Sequence, residues 1–210
     1  MKLTLPDCLQ DPGDAHAVRL LRRYYGSDGD GTGNVGALWD TFDPGRRRSQ
    51  DVDRFTSDDL VSLSLLSEKV PGRAAYALLV TDAELFSGLL AEVGPDRDLG
   101  EQAEPVEADG VGSRLYEAVR ELRDVGPTRA SKLLARKRPR LFPIRDEVVG
   151  TVLGLGREFW EPLWRALRAQ DGALDSRLGR LHAEAGLPPE VSRLRVLDVL
   201  AWSEGKDRGL

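Results

Sequence analysis

Asp124-Val-Gly-Pro-Thr-Arg-Ala-Ser-Lys-Leu-Leu134, continued by Arg138-Pro-Arg-Leu-Phe-Pro-Ile-Arg-Asp146, is the stretch whose reading decides the fold. Upstream of it Leu115, Val119 and Leu122 recur at i, i+4 and i+7, which predicts an amphipathic helix. Downstream, Ala130, Leu133 and Leu134 give a second helix its buried face. Val125-Gly126-Pro127 between them reads as a tight hairpin. Gly126 can adopt the positive φ that such a turn needs, and Pro127 suits the first helical position. The N–H groups of residues 128 to 130 are then left pointing outward as an anion site. The expectation is helix, turn, helix over about residues 114–136.

The rest of the chain keeps the helical period. Asp14 is expected to cap a helix carrying Val18, Leu21 and Tyr25 and closed by Gly26; Thr56-Ser-Asp-Asp59 and Thr81-Asp-Ala-Glu84 read as capping boxes opening Leu60 to Leu66 and Leu85 to Val93. After Asp146, helices are predicted over Val148 to Leu153, Phe159 to Leu167 and Leu174 to Ala185. A last one opens at Ser192 and carries Leu194, Leu197 and Ala201. Strand signals are nearly absent, so the fold class is all-α. Gly26 to Asn34, Asp43 to Asp53 and Pro95 to Gly112 read as linkers, the last as a mobile loop. No internal repeat is found.

Composition bounds the function classes. With 210 residues, 40% hydrophobic and 31% charged, the chain can bury a full core as one domain or as two packed lobes. No apolar stretch approaches the roughly 18 residues of a membrane span, and the first residues lack a signal-peptide core, which predicts a cytoplasmic protein with no membrane role. Cys8 is the single cysteine, excluding an internal disulfide and a four-cysteine iron–sulfur loop. His16 and His182 are the only histidines, so neither a metal nor a cofactor is expected. Asp28-Gly-Asp-Gly-Thr-Gly33 begins like a calcium loop, but its twelfth position is Trp39 and not Glu, and the segment reads as a glycine loop. Trp160, Trp164 and Leu167 read as core, and Arg46-Arg-Arg48 as a solvated loop.

Net charge is −5, which disfavours a protein that coats nucleic acid. From Arg129 to Arg145, however, lie seven basic residues (Arg129, Lys132, Arg136, Lys137, Arg138, Arg140, Arg145) and no acid. A local patch of this kind supplies counterion-releasing phosphate contacts while the remaining surface stays acidic. Arginine outnumbers lysine about five to one along the whole chain, so a compositional origin for the cluster stands beside the functional one.

Taken together, hairpin and connector resemble the helix-hairpin-helix (HhH-GPD) superfamily of DNA glycosylases over about residues 115–155. The hairpin of that family reads Gly-(Val/Ile)-Gly-x-x-(Thr/Arg)-Ala, matched here by Val125, Gly126, Arg129 and Ala130. A catalytic aspartate follows some twenty residues later, where Asp146 stands, and Arg138-Pro139-Arg140-Leu141-Phe142-Pro143 resembles the connector of alkyladenine-type members. Two positions depart: Asp124 replaces the first glycine, and Thr128 stands where strand-cleaving members carry their Schiff-base lysine.

The resemblance implies a single HhH-GPD-like unit over 1–210, a two-lobed helical bundle with lobes about 54–145 and 1–53 plus 146–210 and a cleft between them. It implies duplex DNA as partner, gripped along its phosphate backbone by Val125, Gly126, Thr128, Arg129, Ala130, Lys132, Arg136 and Arg145. Asp146 would be the catalytic residue of a monofunctional glycosylase that removes damaged bases. Breaking an N-glycosidic bond gives the sugar oxocarbenium character, which a nearby carboxylate stabilises while the target nucleotide is held out of the duplex. Two other readings stay open. One is a non-catalytic DNA-binding or interaction module on the same scaffold, in which Asp146 is only the N-cap of the helix carrying Val148 and Val149, a role worth about 1 kcal/mol. The other is a helical scaffold with no DNA role, favoured if Arg129, Lys132 and Arg136 are held in internal ion pairs.

Overall fold

The computed structural model describes residues 3–10, 13–27, 33–106, 110–156 and 158–210; most of the calcium-like glycine loop lies outside them. Among the described residues all regular structure is helical. The order is α1 (Asp7–Gln10), α2 (Ala15–Tyr25), α3 (Ala37–Thr41), α4 (Ser57–Ser62) running into a 3₁₀ turn at Leu63–Leu66, and α5 (Gly72–Tyr76) running into a π-helical turn at Ala77–Thr81. There follow α6 (Ala83–Val93), a 3₁₀ turn at Leu99–Glu101, α7 (Val111–Arg120), α8 (Gly126–Lys137), α9 (Glu147–Leu153), α10 (Trp160–Ala185) and α11 (Arg193–Asp207). No single helix is long and apolar enough to cross a membrane.

The helices pack in two groups. In one, α6 lies on α7, α7 on α8, and α8 on α4; in the other, α11 packs on α9, α10, α2 and α1. One hydrophobic core runs through both, from Cys8 and Leu21 through Leu90, Leu115 and Leu133 to Leu200. The 3₁₀ turn at Leu99 packs on α10, tying the groups together. α11 is the central helix: Val196, Leu197, Val199, Leu200 and Ala201 are all buried, so apolar residues occupy more than the single Leu194, Leu197, Ala201 face. It meets α9 so closely at Gly205 that a Cβ there would lie 2.3 Å from Val148 Cγ1.

Local signals set most boundaries. Thr56 and Asp59 form a complete capping box, with Asp59 N–H donating to Thr56 Oγ1 and Thr56 N–H to Asp59 Oδ2. Ser192 caps α11 through Arg195 N–H, and Gly26 closes α2 at φ 72°. α10 is broken at Ala169–Gly172, where Gln170, Asp171 and Gly172 all have positive φ, which separates the two helices expected there.

Four expectations are corrected. The box at Thr81–Glu84 does not form, because the π-helical turn runs through Thr81 and α6 opens at Ala83 with no side-chain cap. Asp14 does not cap α2 either; its carboxylate pairs with Arg177 at 2.8 Å. The segment after Pro95 is no free loop at its start: Leu99 is buried, its N–H donates to Arg140 O, and Arg140 pairs with Asp98. Arg48 is not solvated but half-buried, donating to the carbonyls of Asp40 and Arg136.

The seven-cation run shows the largest departure. Lys132, Arg136, Lys137 and Arg138 are buried, so the run is not a surface patch. Arg136 donates to Trp39 O at 2.9 Å and to Phe42 O, and pairs with Asp59 at 3.3 Å. Lys137 reaches Asp59 Oδ2 at 2.6 Å and Asp51 O at 2.9 Å. Arg138 donates to Gly94 O, Val52 O and Leu90 O and pairs with Asp53. Burial pulls the Arg136 guanidinium down to about 10, Arg48 adding to the fall and Asp59 opposing it, so it remains cationic at neutral pH. Burial likewise lowers Lys137, against the attraction of Asp59.

Asp59 is thus a buried anion shared by a helix cap and two buried cations. Removing it leaves both cations without their carboxylate, a change that typically costs about 3–5 kcal/mol. Asp59→Ala is expected to lower the unfolding free energy by about that amount in urea titrations followed by circular dichroism. A loss confined to the roughly 1 kcal/mol of a helix cap would show that the cations do not depend on it.

Candidate functional site

The hairpin has the geometry its sequence implies. α7 ends at Arg120, α8 begins at Gly126, and Pro127 lies in the first turn. Gly126 has φ 66°, and Asp124, where the resembled family has its first glycine, also has positive φ at 62°. Aspartate is among the few residues that tolerate this region, so the substitution preserves the turn. Val125 and Ala130 are buried beneath the turn, while Gly126, Thr128 and Arg129 are half-exposed.

The connector then returns along α8. Arg145 N–H donates to Ser131 Oγ at 2.9 Å, and Ser131 Oγ–H donates to Thr128 O at 2.9 Å. Trp160 Nε1 holds Pro143 O at 3.0 Å, and Ile144 packs with Trp39 and Ala135. These contacts place Asp146 at the N-cap of α9, where Oδ1 accepts Val148 N–H at 3.0 Å. Oδ2 faces Lys132 Nζ at 3.6 Å. Lys132 also donates to Leu66 O at 3.1 Å and lies 3.9 Å from Glu68, whose other oxygen pairs with Arg129 at 3.0 Å.

Asp146 lines a cavity of about 270 Å³ between the two helix groups. Leu65, Leu66, Glu68, Lys132 and Ile144 form one side; Tyr24, Arg195, Asp198, Trp202 and Lys206 form the other. The volume falls just below the range of small-molecule sites, which begins at about 300 Å³. Tyr24 and Trp202 meet edge to face at 5.7 Å and make an aromatic wall, with Lys206 Nζ 5.8 Å from the Trp202 ring. Thr128, Arg145, Gly150 and Phe159 line a second hollow of about 250 Å³ on the hairpin side, which Asp146 also borders.

Sequence reasoning missed the polar floor of the main cavity. Arg195 is buried, pairing with Asp40 at 3.3 Å and with Asp198, and donating to Tyr24 Oη at 2.8 Å and Gly36 O at 3.0 Å. The only available signal was an Arg195, Asp198 pair at i, i+3 inside the otherwise apolar stretch Leu194 to Trp202. Burial pushes the Asp198 carboxyl up to about 6; Arg195 opposes the shift and Asp146 adds to it. Among the described residues no group of three or more His, Cys, Asp or Glu is placed to hold a metal ion.

The basic residues read as DNA contacts divide accordingly. Arg129 and Arg145 are half-exposed, Arg145 donating to Gly156 O at 3.3 Å; Lys132 faces the cavity; Arg136 is inside the protein.

The model of a family of unknown function, DUF6308, matches residues 17–205, a span that includes the hairpin, the connector and every residue lining this cavity except Lys206. The chain belongs to that family. No curated protein and no solved structure matches it.

The raised Asp198 carboxyl has a consequence for stability. Its folded-state pKa lies above its ordinary 3.8, so between about 4 and 6 the native state holds a proton that the unfolded chain has released. Its contribution to stability is therefore present at acid pH and lost as pH rises through 6. Asp198→Asn removes that loss. The mutant is expected to gain on wild type as pH is raised from 4 to 7 in parallel urea titrations; a constant difference would show that Asp198 titrates normally.

Proposed function

We propose that this protein is a monofunctional DNA glycosylase-like enzyme, removing a damaged base that is turned out of the duplex into the cavity beside Asp146. The observation that carries the proposal is the position of that carboxylate: a cap residue, fixed by the connector behind a two-positive-φ hairpin, that also borders a cavity with aromatic walls. A residue acting only as a cap has no need of such a cavity. The two helix groups with the cavity between them fit the two-lobed arrangement that the resemblance implies.

In this reading one Asp146 oxygen is pinned by Val148 N–H, which fixes the carboxylate in place. The other oxygen, facing Lys132, stabilises positive charge developing on the sugar and orients the attacking water. Tyr24 and Trp202 receive the extruded ring. The first-turn N–H groups of α8, with Arg129 and Arg145, are what remains to grip phosphate.

A second reading has a specific observation in its favour. Arg129, Lys132 and Arg136 are all held in internal ion pairs, as a helical scaffold without a DNA role requires. The non-catalytic DNA-binding module stands between the two, needing the hairpin but not the cavity.

Two measurements separate them. With most of the basic run buried, duplex binding is expected to be weak and only mildly salt-dependent. One or two phosphates give a slope of log K against log salt of about −1 to −2. Fluorescence anisotropy on an unmodified duplex at low and moderate ionic strength reads this, and the absence of binding at low salt favours the scaffold. Asp146→Asn should leave that binding nearly unchanged and lower the melting temperature only modestly, because Asn caps about as well as Asp and Lys132 keeps Glu68 and Leu66 O. Single-turnover base release from duplexes carrying alkylated, deaminated or oxidised bases is expected to fall about 100-fold or more. Equal release by both proteins removes Asp146 from the chemistry, and no release from any lesion by wild type favours the non-catalytic readings.

A further inference from the structure

The Asp198 carboxylate, on the side of the cavity opposite Lys132, is held from one side only. Oδ2 is engaged by Arg195, whereas Oδ1 is buried and has no hydrogen-bond partner among the described residues. A buried acceptor left unpaired typically costs about 1–3 kcal/mol, and such an atom beside a cavity points to a donor supplied from outside the chain. Asp198 lines the same cavity as Tyr24, Trp202 and Asp146. The position is fixed by its neighbour, since Arg195 is also anchored by Asp40, Tyr24 Oη and Gly36 O.

Resting on the reading of this cavity as a base pocket, we infer that Asp198 is its specificity-determining residue, accepting a hydrogen bond from a ring N–H of the bound heterocycle. The ligand class is thereby narrowed to bases with a lactam N–H, the edge that hypoxanthine and uracil present and that adenine lacks. An Arg195-bound carboxylate offers one free oxygen, which matches a single ring N–H, and the ring lies against the Tyr24–Trp202 wall. Oδ1 is covered by its neighbours, so the ligand's donor reaches it by displacing lining side chains while Oδ2 stays on Arg195. Burial raises the carboxyl only to about 6, against the pull of Arg195, so at neutral pH it is ionised and acts as an acceptor. Lys132 across the cavity and Lys206 beside Trp202 are the cations available to the lactam carbonyl.

The test uses ligand-observed saturation-transfer NMR and Trp fluorescence titration of the intact protein at pH 7.5 with millimolar inosine and uridine. Their ring-methylated counterparts, 1-methylinosine and 3-methyluridine, carry a methyl group in place of the donor hydrogen. The unmethylated nucleosides are expected to bind about tenfold or more tightly than the methylated ones, the ratio typical of one hydrogen bond to a charged group. In Asp198→Asn that ratio is expected to shrink. Equal affinity for methylated and unmethylated nucleosides overturns the role of Asp198 while leaving the cavity as a base pocket. Failure of wild type to bind any of the four overturns the pocket and the inference together. Should Asp198→Asn not fold, the wild-type pairs decide alone.

Discussion

The carboxylate of Asp59 is the interaction on which the rest of the structure depends. It accepts from Thr56 at the start of α4 and pairs with both Arg136 and Lys137 at the end of α8. Each cation then reaches past it to the carbonyls of Trp39, Phe42 and Asp51. The end of α3 and the irregular segment around Asp51 are thereby fastened to one helix end. Placing two cations and an anion where almost no solvent reaches is favourable only because nearly every donor finds a carbonyl or carboxylate. Such an arrangement specifies one geometry, since a shifted register would leave charges buried and unpaired.

That geometry is transmitted to the cavity. With the end of α8 fixed, Arg138 ties the connector to the C-terminal carbonyls of α6, and Ser131 holds Arg145 N–H alongside the helix. Asp146 therefore arrives opposite Lys132 and not elsewhere on the surface. On the far side α11 carries Arg195, Asp198 and Trp202 along one stretch, and its close approach to α9 at Gly205 sets the distance between those residues and Asp146. The cavity is the gap left between two helix groups whose polar linings are each anchored separately.

Much of the helical framework was legible locally. The caps at Thr56, Asp146 and Ser192, the closing glycine at 26 and the positive φ at Gly126 depend on residues within a few positions of one another. Where a local signal met a competing partner, it lost: Asp14 abandoned its cap for Arg177, and the Thr81 box gave way to the π-helical turn. Gly72–Thr81 was not anticipated, since Ala-Ala-Tyr-Ala-Leu-Leu-Val carries no polar face from which to read a period. Asp198 was invisible for a related reason: a charge in the middle of an apolar stretch has no meaning until its buried partner, Arg195, is placed against Asp40.

By itself the sequence determined the all-helical class, the hairpin and the position of Asp146 at a helix start, because each rests on backbone preferences and periodicities spanning fewer than two turns of chain. The tertiary structure alone decided where the charges went. Seven cations in seventeen residues read as a surface patch, yet burial is a property of the whole packing, and four of them turned inward once acids from distant segments were brought to meet them. The cavity beside Asp146, with walls contributed by residues as far apart as Tyr24 and Lys206, exists only where the helix groups close on each other.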